Sequence, residues 1–207
     1  RRGRRSRARE RAVRRAISDA AARAGARIAG ESRWKPAPQA TRVPCSSDHE
    51  CGMNIVFYAT LEQAEKNALQ NASVVVIDVL RASSTIVAAI ENGAERIIPI
   101  ADVETASRLV RPTERDKKLL AGERKCLPVP GFDLSNSPGE FTPARIRGKT
   151  LVLTTSNGTR AIAAASKAAR LVVCALTNLS AVAAALSGED NLVVLCCGSE
   201  GSIAAED

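Results

Sequence analysis

Aromatic residues are scarce in this chain: three Phe, one Tyr and one Trp among 207 residues. Proteins that grip single-stranded nucleic acid stack bases on aromatic faces, so a stacking platform is excluded for the core. Histidine is scarcer still, with His49 alone. It lies in an atypical, Pro-containing stretch, which leaves the remainder without a His-dependent nucleophile triad. Long apolar runs are also lacking, because charged or turn residues interrupt each one before it reaches the length of a membrane span. The Arg-rich start does not lead into the apolar region of a signal peptide. The expectation is a cytoplasmic protein without a membrane partner.

The formal charge of +8 is uneven. Residues 1–52 hold 14 Lys/Arg against 5 Asp/Glu, while residues 53–207 hold 16 against 17. The second part is near neutral, so an overall basic pI does not point to a nucleic-acid groove there. Residues 1–52 read as a tail, with a basic helix over Arg7 to Ile28 followed by Pro36, Pro38 and Pro44. A targeting peptide or a basic arm for nucleic acid fits that composition. A better reading makes Met53, the single methionine, the natural start, because MNIVFY opens the first strand-like run there. The six cysteines show no repeated spacing and read as reduced thiols. Cys45, His49 and Cys51 are three crowded candidate ligands without a fourth, a poor zinc site.

From Met53 onward, short apolar runs alternate with Ala-rich amphipathic stretches: VVVIDV, STIVAAIENG, RIIPI, DVETASRLV, and later TLVLTT, TRAIAAASKAA, LVVCA, NLSAVAAAL and NLVVLCC. This alternation, with strands apolar throughout, predicts an α/β fold: a mostly parallel sheet with helices on both faces. Gly93 is placed to end one helix and Asp102 to cap the next. Between residues 111 and 149 the pattern lapses around five prolines, and so long a loop points to function. The chain stops at GSEGSIAAED soon after a strand. The expectation is one α/β domain over 53–207 that continues beyond this sequence.

The polar residues concentrate where strands end, the place at which open α/β sheets bind ligands. Asp78 follows VVVI and precedes Arg81, Ser83, Ser84 and Thr85 at a helix start. A carboxylate there can ligate a hard cation, and the hydroxyls and amides can receive phosphate oxygens. A plain turn cap explains Asp78 equally well. TTSNGTRA repeats the arrangement with Thr155, Asn157, Gly158 and Arg160, and CCGSEG does so with Gly198 and Glu200. Arg81, Arg124 and Arg160 supply forked donors for a ligand with several oxyanions. Carboxylates, arginines and phosphate-sized turns without a histidine suit metal-assisted phosphoryl chemistry. A non-catalytic anion- or nucleotide-binding module on the same crevice is the alternative.

The segments VVVIDVLRASSTIVAAIENGA, LLAGERKCLPVPGFDLSNSPGEF, LTTSNGTRAI and VVLCCGSEGSIAAED, taken in this order, resemble the 2-phosphosulfolactate phosphatase family. The resemblance runs from Met53 to Asp207. It implies a phosphoric monoester hydrolase that uses Mg²⁺ to convert 2-phospho-3-sulfolactate to 3-sulfolactate and phosphate, a step associated with coenzyme M biosynthesis. The ligand is then a small phosphorylated, sulfonated hydroxy acid, with no nucleic acid on the core and room for a homo-oligomer. On this reading Asp78 is the principal Mg²⁺ ligand, joined by Glu206, Asp207 and Glu123. Arg81 and Arg160 hold phosphoryl or carboxylate oxygens, and Arg124 faces the sulfonate. Ser83, Ser84 and Thr85 seat the phosphate, and Asp133, Asn136, Ser137, Thr155, Asn157, Gly158, Gly198 and Glu200 complete the substrate site. The sequence leaves open whether water attacks directly or Asp78 first forms a phospho-enzyme; metal-activated water is favoured, because Leu80 stands where aspartyl-phosphate phosphatases commonly carry a second Asp.

Overall fold

The computed structural model describes residues 41–43, 53–65 and 67–207, with 41–43 described for the backbone only. The basic helix over Arg7 to Ile28 and the Cys45, His49, Cys51 set therefore lie outside the described residues. Within the stretch read as a tail, Thr41–Val43 (β1) pairs antiparallel with Asn54–Tyr58 (β2).

The chain continues through Ser73–Ile77 (β3), the helix Ala82–Glu91 (α1), Arg96–Pro99 (β4) and Val103–Arg108 (α2). Then come Lys118–Arg124 (β5), Leu127–Pro128 (β6), Pro143–Ile146 (α3), Thr150–Thr154 (β7), Gly158–Ala164 (α4), Arg170–Cys174 (β8), Leu179–Ala185 (α5) and Asn191–Cys196 (β9). The punctuation follows its chemistry. Asp102 accepts a hydrogen bond from the Thr105 amide at 2.7 Å to cap α2, and Gly93 takes φ +90° just past α1. Both are the conformations those residue types favour.

The mostly parallel arrangement with helices on both faces is distributed over two sheets, ordered β1-β2-β9-β3-β8 and β4-β7-β5-β6. Among the described strands, only the β1–β2 and β5–β6 pairs are antiparallel. Helices α1 and α4 lie between the sheets and carry the chain across, α1 from β3 to β4 and α4 from β7 to β8. Alternate residues of β3 serve opposite layers: Val74 and Val76 pack with Ala161, Ile162 and Ala165 of the α4 segment. Val75 and Ile77 pack with Val182, Ala183 and Leu186 around α5. In the second sheet, Leu151 and Leu153 face Ala89 of α1 and Phe141, while Val152 faces Ala106 of α2. Residues 74–77 of β3 are at most 2% exposed. Each Val or Ile buried so completely contributes about 1.5–3 kcal/mol, which is why these strands read as unbroken apolar runs.

One expectation needs correction. The stretch 111–149 is not a single long loop, because KLLAGER forms β5, hydrogen-bonded between β7 and β6. Its apolar part is short, and its charged C-terminal end is buried by hydrogen bonding rather than by apolar packing, so periodicity does not reveal it. Gly122 allows the closest approach in this sheet: a Cβ there would lie 2.0 Å from the Thr154 carbonyl oxygen. Glycine inside a strand marks such an approach.

Candidate functional site

Because β2, β9, β3 and β8 run parallel, the segments after them share one end of their sheet. The turn after β7 reaches this end from the other sheet. Asp78, Gly198 and the Thr155–Gly158 turn thus converge across two sheets. The meeting point is the start of both inter-sheet helices: a Cβ on Gly158 would lie 2.5 Å from the Ala82 Cβ and 2.5 Å from Asp78 Oδ2. Only glycine fits there.

Asp78 is buried at 7% exposure, and its Oδ1 accepts the Ala82 amide at 3.1 Å. Burial pushes its carboxyl above the usual range, amides of Ala82, Gly158 and Arg81 pull it back in part, and Glu123 adds repulsion. Beside it stands Asp207, whose Oδ1 accepts the Val79 amide at 2.7 Å and whose Oδ2 accepts the Gly198 amide at 3.2 Å. Burial raises Asp207 to about 7, with the negative charges of Asp78 and Glu206 acting the same way. Two buried carboxylates that repel each other, each held by amides, make a site short of positive charge.

Glu123 lies at the end of β5, buried at 6% exposure. Its Oε1 accepts the Ser156 amide at 2.7 Å, and its Oε2 accepts the Cys126 amide at 2.8 Å and the Ser156 hydroxyl at 3.1 Å. Arg124 is turned inward, donating to the carbonyls of Glu123 and Ala101 and to Thr154 Oγ1 at 2.6 Å. Arg160 is exposed and lies 3.5 Å from Glu62 Oε1. Arg81 occupies the N-cap of α1, near enough to Glu140 to lower that carboxyl among its minor influences.

The hydroxyls at the start of α1 are engaged within the protein. Ser83 Oγ accepts the Asp78 amide, Ser84 Oγ donates to the Val79 carbonyl, and Thr85 Oγ1 donates to the Asn136 carbonyl. Thr155 and Thr159 bond reciprocally, each backbone amide donating to the other's hydroxyl. Asn157 Oδ1 accepts the Glu200 amide at 3.4 Å, joining the α4 start to the turn after β9. Glu200 and Glu206 are exposed. Asp133 lies apart from the strand ends, bonded to the Leu120 amide and to Arg115. Ser137 precedes the short helical turn 138–140 without capping it. Asn136 is buried, and its Oδ1 is the one buried side-chain nitrogen or oxygen among the described residues without a partner.

Two residues were missed in the sequence. Ser156, inside the TTSNGTRA block, bonds across to the end of β5 through both its amide and its hydroxyl. Glu62 follows β2, a fourth parallel strand end whose signal was the run LEQ two residues after MNIVFY. The thiols of Cys174, Cys196 and Cys197 are pushed up by burial, Cys174 to about 11, so they stay protonated and act as packing.

Among the described residues, no group of three or more His, Cys, Asp or Glu side chains is arranged to hold a metal ion. Mg²⁺ does not require one, because it binds through one or two carboxylates and keeps its waters. Asp78 and Asp207 fit that demand: two adjacent carboxylates whose mutual repulsion a divalent cation would relieve. Also among the described residues, no helix is long and apolar enough to cross a membrane.

Comparison with known proteins gives a consistent result. The family described as 2-phosphosulpholactate phosphatase matches residues 58–207. The chain is similar to the probable 2-phosphosulfolactate phosphatase of Caldanaerobacter subterraneus subsp. tengcongensis, 43% identical over 156 residues covering 75% of this chain and 65% of the relative. It is also similar to the protein of the same name from Clostridium tetani, 40% identical over 156 residues, 75% of this chain and 66% of the relative. A third, from Symbiobacterium thermophilum, is 43% identical over 134 residues, 64% of this chain and 58% of the relative. The chain thus spans 65 to 66% of the length of the first two of these curated relatives.

Proposed function

The chain belongs to the 2-phosphosulpholactate phosphatase family, and from that premise we propose that it is an Mg²⁺-dependent phosphoric monoester hydrolase acting on 2-phosphosulfolactate. The observation that carries this reading is the pair of buried carboxylates, Asp78 and Asp207, at the meeting point of two helix starts. Asp78 and Asp207 would hold the cation, which when bound supplies charge neutralisation for the phosphoryl oxygens.

The remaining roles follow from what the side chains already do. The amides of Ala82, Gly158, Val79 and Gly198 fix both carboxylates, so their oxygens need no reorganisation during the reaction. Arg81, at the N-cap of α1, and Arg160, weakly paired with Glu62, supply donors for the phosphoryl and carboxylate oxygens of the substrate. The unpaired amide oxygen of Asn136 would accept from a water held beside the substrate, since the substrate's own oxygens are acceptors. Water's oxygen forms the new P–O bond, the ester P–O bond breaks, and the proton given up by water ends on the hydroxyl of sulfolactate.

The test is phosphate release from 2-phosphosulfolactate with Mg²⁺, with a chelator, and with Asp78→Asn. Release should require Mg²⁺ and should fall by at least about 100-fold in the variant, the range seen when a preorganised electrostatic group is removed, with the fold unchanged by circular dichroism. Binding of the substrate without release would overturn the phosphatase reading in favour of a binding module. Release within a few-fold of the parent would return Asp78 to a turn cap.

A further inference from the structure

We propose that Ser156 is a positioning residue: it fixes the 156–158 turn, and through that turn sets Asp78 and the Gly198–Glu200 turn relative to each other. The inference rests on the functional reading above and extends it to a residue with no part in substrate contact.

Three consecutive residues each reach a different strand end. Ser156 reaches β5, its amide donating to Glu123 Oε1 at 2.7 Å and its hydroxyl to Glu123 Oε2 at 3.1 Å, while the same hydroxyl accepts the Lys125 amide at 3.0 Å. Asn157 reaches the turn after β9 by accepting the Glu200 amide at 3.4 Å. Gly158 reaches Asp78 at the end of β3, with no space for a Cβ between them.

The three links are unequal. The Asn157 link is long, and Gly158 has no side chain to hold it. Of the three, Ser156 alone is fastened to another strand end by both its backbone amide and its side chain, and its partner Glu123 is buried with both oxygens occupied by donors of the two turns. A charge-assisted bond of this kind is among the stronger anchors available to a turn. Glu123 is therefore an anchor for Ser156 more than a free ligand, and the first sheet receives its alignment through the second. A shift of about 1 Å in a reacting group costs on the order of 100-fold in rate, so an anchor outside the chemistry is visible in turnover.

The experiment compares Ser156→Ala and Ser156→Thr with the parent by phosphate-release kinetics and by amide hydrogen exchange. Ser156→Ala should lower kcat about 10- to 100-fold with KM within about threefold, and Ser156→Thr, which keeps the hydroxyl, should recover most of the loss. Exchange should quicken at residues 78–82 and 198–202, which Ser156 does not touch, while β3 and β9 stay protected. Exchange that quickens only at 123–126 and 154–158 overturns the proposal. So does a raised KM at unchanged kcat, which makes Ser156 a ligand contact. A parent that releases no phosphate removes the functional reading, and the exchange pattern then still decides the positioning role. Should Ser156→Ala fail to fold, Glu123→Gln weakens the same anchor from its other side and is judged by the same exchange pattern.

Discussion

The two sheets bring the same residue types to their strand ends and use them oppositely. At the end of the five-stranded sheet, burial holds the carboxyls of Asp78 and Asp207 high, with like charge adding to it: Glu123 on Asp78, and Asp78 and Glu206 on Asp207. At the end of the four-stranded sheet, Glu123 and Arg124 have their hydrogen-bonding capacity taken up by neighbouring amides, carbonyls and hydroxyls. On the proposed reading the uncompensated negative charge would take the cation that in turn admits a phosphorylated ligand, whereas the second pair builds scaffold. A carboxylate at a strand end is thus defined by the like charges beside it as well as by its donors, which the residue type alone does not reveal.

The contrast is broken most severely at two glycines. Gly122→Ala puts a Cβ 2.0 Å from the Thr154 carbonyl, backbone against backbone at φ +150°. It should destabilise the four-stranded sheet by about 3 kcal/mol or more, at the upper end of overpacking costs, seen as a large drop in thermal midpoint. Gly158→Ala drives a methyl against the Ala82 side chain and Asp78. It should cost about 1–3 kcal/mol yet remove phosphate release almost completely, because it separates the two helix starts. Equal stability loss with activity retained in Gly158→Ala would erase the distinction between the sheets.

A smaller effect of opposite sign sharpens it. Asp207 is raised in the folded chain to about 7 from an ordinary 3.8. The folded state therefore binds more protons between these values, and stability falls as pH rises from about 4 to about 7. Asp207→Asn removes that penalty. Its thermal midpoint should match the parent's near pH 4 and exceed it by a few degrees at pH 8. Added Mg²⁺ should raise the parent and leave the variant little changed. A variant less stable than the parent at pH 8 would show that the carboxylate's bonds to Val79 and Gly198 outweigh its repulsion.

The smallest effect belongs to Asn136. Its buried amide oxygen has no partner, so Asn136→Ala gives up little stability, within about 1 kcal/mol of the parent. KM for the phosphorylated substrate should nevertheless rise several-fold. An unchanged KM would remove Asn136 from the ligand site.

Much of this was legible in the sequence because it is local. The runs at 74–77, 150–154 and 191–196 announce buried strands, and Asp102 and Gly93 announce helix ends. Sheet membership was not legible, since β4 and β7 choose each other across about fifty residues and no periodicity records that choice. β5 was hidden because its buried Glu123 is satisfied by amides from another turn. The hydroxyls of Ser83, Ser84 and Thr85 looked free for phosphate in the sequence, and only the fold shows each with a partner inside the protein.

The strand order carries a consequence for how the chain comes into being. β9 lies between β2 and β3, although it is the last strand to be synthesised of the nine described. Asn54 meets Asn191 across a separation of 137 residues. Until β9 leaves the ribosome, one edge of Val74–Ile77 stays unpaired, for on the order of ten seconds at ordinary elongation rates. A bare apolar edge of that kind is a template for pairing with other chains. The nascent protein therefore passes through an interval in which its most buried segment is its most adhesive one, and the insertion of a late central strand closes it.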